Sequence, residues 1–509
     1  SVAKNKRNNR LAEQTLHDLE VLAVLASRHG IAYPKATLER LWKTVLLNQF
    51  HDILPGTSIG FVYEDSDRDY AGFFAEAAAL RDQLAAPLAT TDSYAVLNST
   101  SLTRTDLLTL PAGTTAITVS GQTIPSQTIT RADSSTEAVA PSMGFAPLSA
   151  TALTFAEATA SAPETTLSVS TTHLENAALR ASFNARGQLT SLFDKARNRE
   201  ALEPGKLGNA FVAHRDIPID FDAWDIDDYV EDQSWPVDTL VSAEVVETGP
   251  WRAAIRFEWT YENSRIVQVI SLAANAPQLE FDTMIDWQEH QTLLKTGFPL
   301  AIRTDVSRAE TQFGHLTRPT HANTSWDKAR FETSMHRWVD LSEAGFGVAA
   351  LNDCKYGYDA KGSTLRLTLV KSPIFPWPEA DQGEHRLRYA LLVHAGDLQA
   401  VHNAATAFNQ PLRLLAGAAT TAPSLTALAT LSSDQIAIET VKQSDDGKRT
   451  VLRLWETQNQ AGTVTLTLPN ATRISETDLY ETDTTLLADS ANTIDLTFKP
   501  FEIKTIALG

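Results

Sequence analysis

The sequence predicts a mainly β chain with an N-terminal α part, a three-helix bundle followed by stacked β-sandwich domains. Three observations carry this prediction. Apolar residues recur at three- and four-residue steps through the first ninety positions, the spacing of a buried helical face. From about Ser93 the texture changes to Thr, Val and Ser in alternation, with turns at Gly113 and Gly121, which is the pattern of half-buried strands. Long β-type segments then continue to the C-terminus, among them Arg265 to Leu272, Leu365 to Lys371, Arg388 to Val393, Arg449 to Trp455 and Glu502 to Leu508, and sheets of this kind bury their apolar faces by packing on one another.

The first helix carries Leu16, Leu19, Leu22, Ala23 and Ala26 on one face and closes at His29-Gly30, a left-handed stop. A second follows with Thr37 as its N-cap and Leu38, Leu41, Trp42, Val45 and Leu46 on one face; Pro55-Gly56 sets its latest end, which puts Asn48 to Asp52 in its last turn. A third runs through Tyr70, Phe74, Ala77, Leu80 and Leu84 and fades at Pro87, completing an antiparallel bundle with short loops. The expected division is a helical bundle over 1–92, a small β domain over 93–162, a large β-sandwich over 163–410 and a C-terminal β-sandwich over 411–509, with Asn409 to Pro423, rich in Ala and Thr, as the joint before the last.

At 509 residues the chain exceeds what one core organises. No apolar run approaches the ~18 residues of a membrane span. The net charge of −19 repels phosphate backbones and anionic headgroups, so neither nucleic acid nor membrane is an expected partner. Cys354 is the single cysteine, which allows no internal disulfide and no cysteine-based zinc site and points to a reducing, cytoplasmic compartment. Asn98, Asn323 and Asn470 each open a glycosylation sequon, a pattern short enough to arise by chance in a Thr-rich chain, and are read as coincidental. The opening SVAKNKRNNR begins without Met and lacks the apolar core of a signal peptide, so the expectation is a chain cut from something longer.

The most informative run is WKTVLLNQFHDILPGTSIGFVYED, Trp42 to Asp65, where a polar Asn-Gln-Phe-His-Asp cluster ends an apolar helix just before a Pro-Gly turn. A His followed by Asp at such a place has two readings: an imidazole metal ligand with a carboxylate beside it, or a pair that caps backbone groups, and spacing by itself favours the cap.

This run resembles the His-Asp signature of glycoside hydrolase family 38, the retaining α-mannosidases that contain a divalent metal. Other stretches resemble the cytosolic and bacterial branch of that family: KNKRNNR from Lys4 to Arg10, DAWDIDDY from Asp222 to Tyr229, QFGHLTRPTHANTSWDKARFE from Gln312 to Glu332, and HRWVDLSEAGFGVAALNDCKYGYD from His336 to Asp359. The resemblance covers nearly the whole chain in order but begins partway through the family's pattern.

In the family a zinc-type ion is held by a His and an Asp of an N-terminal α/β barrel, by that barrel's nucleophilic Asp, and by one His of the helical domain. The resemblance implies that His51 is this last ligand; where the family often has two adjacent histidines, this chain has Phe50-His51, and His51 matches the second. It implies that Asp52 binds hydroxyls of the mannose at the cleavage point, that zinc is the ion with cobalt or manganese as alternatives, and that an upstream catalytic barrel is the partner. The two carboxyl groups of a retaining glycosidase stand only ~5 Å apart, and both family positions map before Ser1, so no catalytic carboxylate is assigned within the chain.

The acidic run from Asp220 to Asp232 with Trp224 and Tyr229 is read as a sugar subsite, Trp224 and Asp225 touching substrate, against the alternative of a solvated loop. His315, His321 and His336 lack local metal spacing and are read as structural. Lys4, Arg7 and Arg10 form a basic patch, either an anchor for the barrel junction or a disordered terminus. The leading expectation is the C-terminal part of an exo-acting α-mannosidase on mannose-containing oligosaccharides, silent without its barrel, with homo-oligomerisation left open. The alternatives are a noncatalytic carbohydrate-binding or scaffold protein, and a hydrolase complete within these residues.

Overall fold

The computed structural model describes residues 2–90, 93–158, 164–417, 426–482 and 484–509. Helices α1 (Ala3–Ser27), α2 (Lys35–Asn48) and α3 (Gly60–Ala85) open the chain, and antiparallel sheets make up most of the rest. The mainly β architecture with an N-terminal helical part stands as the sequence predicts.

From Leu19 to Ala26 every residue of α1 is buried, so this helix has no solvent face there, the sign of a helix enclosed on all sides. One cluster explains it: Leu16, Leu22 and Val45 of the helices share a core with Ile436, Leu452, Leu454 and Ile506 of the C-terminal sheet. The bundle is thus packed onto the last sheet as well as onto itself.

Two helix boundaries differ from expectation. Thr37 is not the N-cap: α2 starts after Pro34, and the Thr37 amide already donates to the Pro34 carbonyl at 3.1 Å. Pro34 sits where its missing N–H costs nothing, which moves the start three residues earlier. Asn48 to Asp52 do not form the last turn either, because α2 ends at Asn48. The Phe50 amide reaches back only to Leu47, and Thr57 N–H closes on the Asp52 carbonyl at 3.1 Å, with Gly56 at φ +89°. His51 and Asp52 therefore stand in the turn after the helix.

The basic patch is ordered. Lys4 pairs with Asp67 at 2.6 Å, and Arg10, only 2% exposed, ties α1 to the large sandwich. Its guanidinium donates to Tyr356 OH (3.1 Å), Asn409 Oδ1 (2.9 Å) and the His336 carbonyl (3.2 Å), and lies 4.7 Å from the Tyr356 ring centre.

The small β region holds a sheet ordered 413–416, 94–98, 149–156, 116–119, 122–125, and a three-stranded sheet of 107–110, 136–141 and 127–130. Arg413–Ala416, inside the stretch expected to be a joint, is a strand paired antiparallel with Tyr94–Leu97, and Leu412 and Leu414 pack in that sheet's core; the remainder, from 418 to Pro423, lies outside the described residues. Its apolar alternation outweighs the Ala/Thr-rich sequence after it. The large sandwich is built on a nine-stranded sheet from 239–248 to 314–319 facing a six-stranded sheet that includes 210–215, 292–299 and 364–371. Trp259, Phe281, Phe298 and Tyr389 fill the space between. Among the described residues no helix is long and apolar enough to cross a membrane.

Candidate active-site turn

The turn after α2 is fixed by hydroxyls that sequence reasoning did not single out. Thr57 Oγ1 donates to Asp52 Oδ1 at 2.9 Å, Ser58 Oγ to the Asp52 carbonyl at 2.9 Å, and Tyr63 OH to the same carbonyl at 3.1 Å. Asn5 Nδ2 and Lys6 Nζ reach the carbonyls of Ile53 and Pro55. Burial pushes the Tyr63 phenol up, so it serves as a neutral donor. Thr57, Ser58 and Tyr63 lie within the quoted Trp42–Asp65 run and Asn5 and Lys6 within Lys4–Arg10, and the density of hydroxyls after Pro55-Gly56 was the available signal.

A segment from the large sandwich backs the turn. Trp377 stacks on Tyr63 with ring centres 5.2 Å apart and planes 17° from parallel. Gly60 makes room for it, since a Cβ there would stand 2.9 Å from the indole. Asp381 Oδ1 accepts the Ala3 amide at 2.6 Å, which closes this packing onto the start of α1.

His51 and Asp52 face outward. Their side chains are 76% and 45% exposed, with His51 Nε2 3.6 Å from Asp52 Oδ2. One oxygen of Asp52 is held by Thr57, leaving the other beside the imidazole. Around them Leu46, Leu47, Phe50, Ile59 and Phe61 are exposed as well, Phe61 at 74%; such a concentration of large apolar side chains is unusual on a free surface.

Trp224 and Asp225 lie on the exposed loop between 216 and 232, where their amides donate to the Phe221 carbonyl at 2.7 and 3.0 Å. Asp222 Oδ2 accepts the amides of Ile374 (2.6 Å) and Phe375 (3.3 Å). The loop is thereby joined to the segment that carries Trp377. The His-Asp turn, the 372–381 segment and the acidic loop are thus linked in series by these contacts. Burial pushes the Asp216 carboxyl up although Lys371 is paired with it. Burial also opposes charge on Glu231, yet Arg366 and Lys361 hold its carboxyl down at about 2. The loop is thus anchored by five of its acids, Asp216, Asp222, Asp227, Asp228 and Glu231, while Trp224 and Asp225 are exposed, the Trp224 ring edge-on to Phe221 at 6.2 Å.

Three further histidines, those read from the sequence as structural, have partners. His315 lies between Trp338 and Phe501, His321 Nδ1 is 3.7 Å from Asp327, and His336 Nδ1 is 3.5 Å from buried Glu310. Among the described residues, no three His, Cys, Asp or Glu side chains converge as a metal set. The donors that the turn could offer a metal are His51 and its neighbour Asp52, too few for a closed tetrahedral site.

The whole fold is that of a solved α-mannosidase from Enterococcus faecalis V583: the likeness covers 100% of this chain and 68% of that one, with a TM-score of 0.84 at 18% identity. Residues 1–88 match the alpha mannosidase middle domain, 174–379 the glycosyl hydrolases family 38 C-terminal domain, and 435–506 the family 38 C-terminal beta sandwich domain. The chain belongs to glycosyl hydrolase family 38. Alpha-mannosidase 2C1 of Mus musculus is 36% identical over 528 residues, spanning 99% of this chain and 49% of that protein. Alpha-mannosidase G of Dictyostelium discoideum is 29% identical over 562 residues, again 99% of this chain and 51% of the relative. The chain spans about half the length of the curated relatives it matches.

Proposed function

We propose that the chain is the C-terminal part of a retaining, metal-dependent exo-α-mannosidase, and that the exposed His51-Asp52 turn is its contribution to the active site. The observation that carries this reading is an imidazole and a carboxylate held side by side in solvent on a turn that five hydrogen bonds make rigid. A rigid turn keeps ligand groups within the narrow tolerance that catalysis needs.

An upstream barrel docks on the apolar surface around Phe50, Ile59 and Phe61 and brings the nucleophile and the acid/base, which stand ~5 Å apart in retaining enzymes. His51 offers a neutral imidazole nitrogen to a zinc-type ion shared with that barrel, cobalt and manganese being the alternatives. The ion supplies a positive template for sugar hydroxyls beside the nucleophile. Asp52 accepts hydrogen bonds from hydroxyls of the terminal mannose, its orientation set by Thr57. Trp224 and Asp225 border the mannose or the residue after it in the oligosaccharide. Burial of the lone Cys354 suits a reducing, cytoplasmic setting.

Hydrolysis of an aryl α-mannoside, with zinc or cobalt added, tests this in the chain alone, the chain with its upstream polypeptide, and that pair carrying His51→Ala. Activity is expected in the intact pair only. Wild-type activity in the His51→Ala pair would refute the ligand assignment, and activity in the chain alone would refute the shared site.

A further inference from the structure

A cleft of about 500 Å³ separates the small β region from the large sandwich and the helix Leu398–Asn409, inside the range of roughly 300–1000 Å³ typical of small-molecule sites. It lies far from the His-Asp turn. The strand Gln278–Trp287 begins at the cleft, and at its other end Trp287 Nε1 donates to Ser372 Oγ at 3.2 Å, next to the segment that backs the turn. Ten residues of strand separate the two ends, about 30 Å at ~3.3 Å per residue.

The lining combines the half-buried Trp251 ring with fixed polar groups. Trp251 is held by its Nε1–H bond to the Pro125 carbonyl at 2.7 Å. The Arg388 guanidinium stands 4.7 Å from the Phe408 ring centre and donates to the Phe408 carbonyl at 3.1 Å. Arg131 is paired with Glu137 at 2.6 Å, and Arg388 has Asp353 at 3.5 Å. The cations are thus already neutralised, which argues against an anionic ligand, while guanidinium N–H groups outnumber the bonds they make. Glu280 supplies the complementary acceptor: Oε1 takes the Gln278 amide at 2.7 Å, and no donor reaches Oε2 among the described residues. A fixed indole, spare planar donors and a half-used carboxylate in a cleft of balanced charge suit a neutral polyol, whose C–H face covers the ring and whose hydroxyls both give and accept.

We propose that this cleft is a second carbohydrate-binding site, which holds a mannose-containing glycan remote from the His51-Asp52 turn. The choice of mannose as the sugar rests on the mannosidase reading; the choice of a neutral polyol rests on the lining.

Calorimetric titration of α-linked mannotriose into the full-length protein tests it, with His51→Ala/Asp52→Ala removing the turn's contribution. Saturable binding is expected to persist in that background and to weaken at least tenfold on adding Glu280→Ala, with unchanged circular dichroism. Trp251→Phe, which keeps a ring but loses the anchoring N–H, is expected to weaken it several-fold. Loss of all binding with His51→Ala/Asp52→Ala would overturn the proposal, as would residual binding indifferent to both cleft variants. Aryl mannoside hydrolysis by the Glu280→Ala protein is a separate readout: it stays at the wild-type rate if the mannosidase reading holds, whether or not the cleft binds glycan, and its absence in the wild-type protein would refute that reading instead.

Discussion

Arg10 gives the sharpest test of how the helices are fixed to the sandwich. In Arg10→Ala, two of its three acceptors keep another donor: the His336 carbonyl retains Asn352 Nδ2 at 2.9 Å and Asn409 Oδ1 retains Gln14 Nε2 at 3.2 Å. Only Tyr356 OH loses its partner, at ~1–2 kcal/mol for a buried polar group left unmade. Losing two buried methylenes of the stem adds ~1.6 kcal/mol at ~0.8 each. The sum is about 3 kcal/mol. Arg10→Met keeps the stem's volume and, like Ala, leaves the phenol without its partner, so only about 1–2 kcal/mol is expected. Urea unfolding followed by near-ultraviolet circular dichroism measures the difference, with hydrogen exchange of the α1 amides to locate it. Equal losses in Ala and Met, or losses under about 0.5 kcal/mol in both, would refute the reasoning, because either result would mean that stem packing and the orphaned phenol do not carry the junction.

Thr57→Val removes the hydroxyl that orients Asp52; a loss of ~1 kcal/mol in transition-state binding is expected, read as about a fivefold fall in kcat/KM on an aryl mannoside with little change in melting temperature. Burial, with Arg337 alongside, lowers His402 from 6.5 to about 4. The unfolded chain then binds the proton more readily between those values, so stability falls as pH drops from 6.5 to 4, by up to about 3 kcal/mol; pH-dependent melts of the wild type against His402→Gln check it, the variant losing that slope. Burial pushes the Cys354 thiol up, so the native chain should resist alkylation at pH 8 for hours and the urea-unfolded chain react within minutes, which mass spectrometry reads directly.

The elements that were legible in the sequence are those with sustained local period. Helix α1 and strands such as 264–273 and 364–371 are long apolar-rich runs of one local texture, the last alternating buried and half-buried positions over its first six residues, so their own residues determine them. What was not legible depends on partners distant in sequence. Arg10 acquires its role from Tyr356, His336 and Asn409, more than 300 positions away. Strand 413–416 exists because residues 94–97 offer an edge. At the turn, His51 and Asp52 were identifiable by resemblance, whereas the reason they are rigid was not, since Trp377 and Asp381 come from the other side of the chain. Trp224 and Asp225 were marked by composition, and their exposure follows from Asp222 being tied to the 374–375 backbone.

The central claim is that the His51-Asp52 turn completes a metal site only together with the upstream barrel. Elemental analysis of metal bound per protein, after dialysis against zinc and then buffer, tests it most directly. About one equivalent is expected in the chain purified with its upstream polypeptide, almost none in the chain alone, and a loss of at least tenfold in affinity with His51→Ala. A full equivalent retained tightly by the His51→Ala pair would contradict the account.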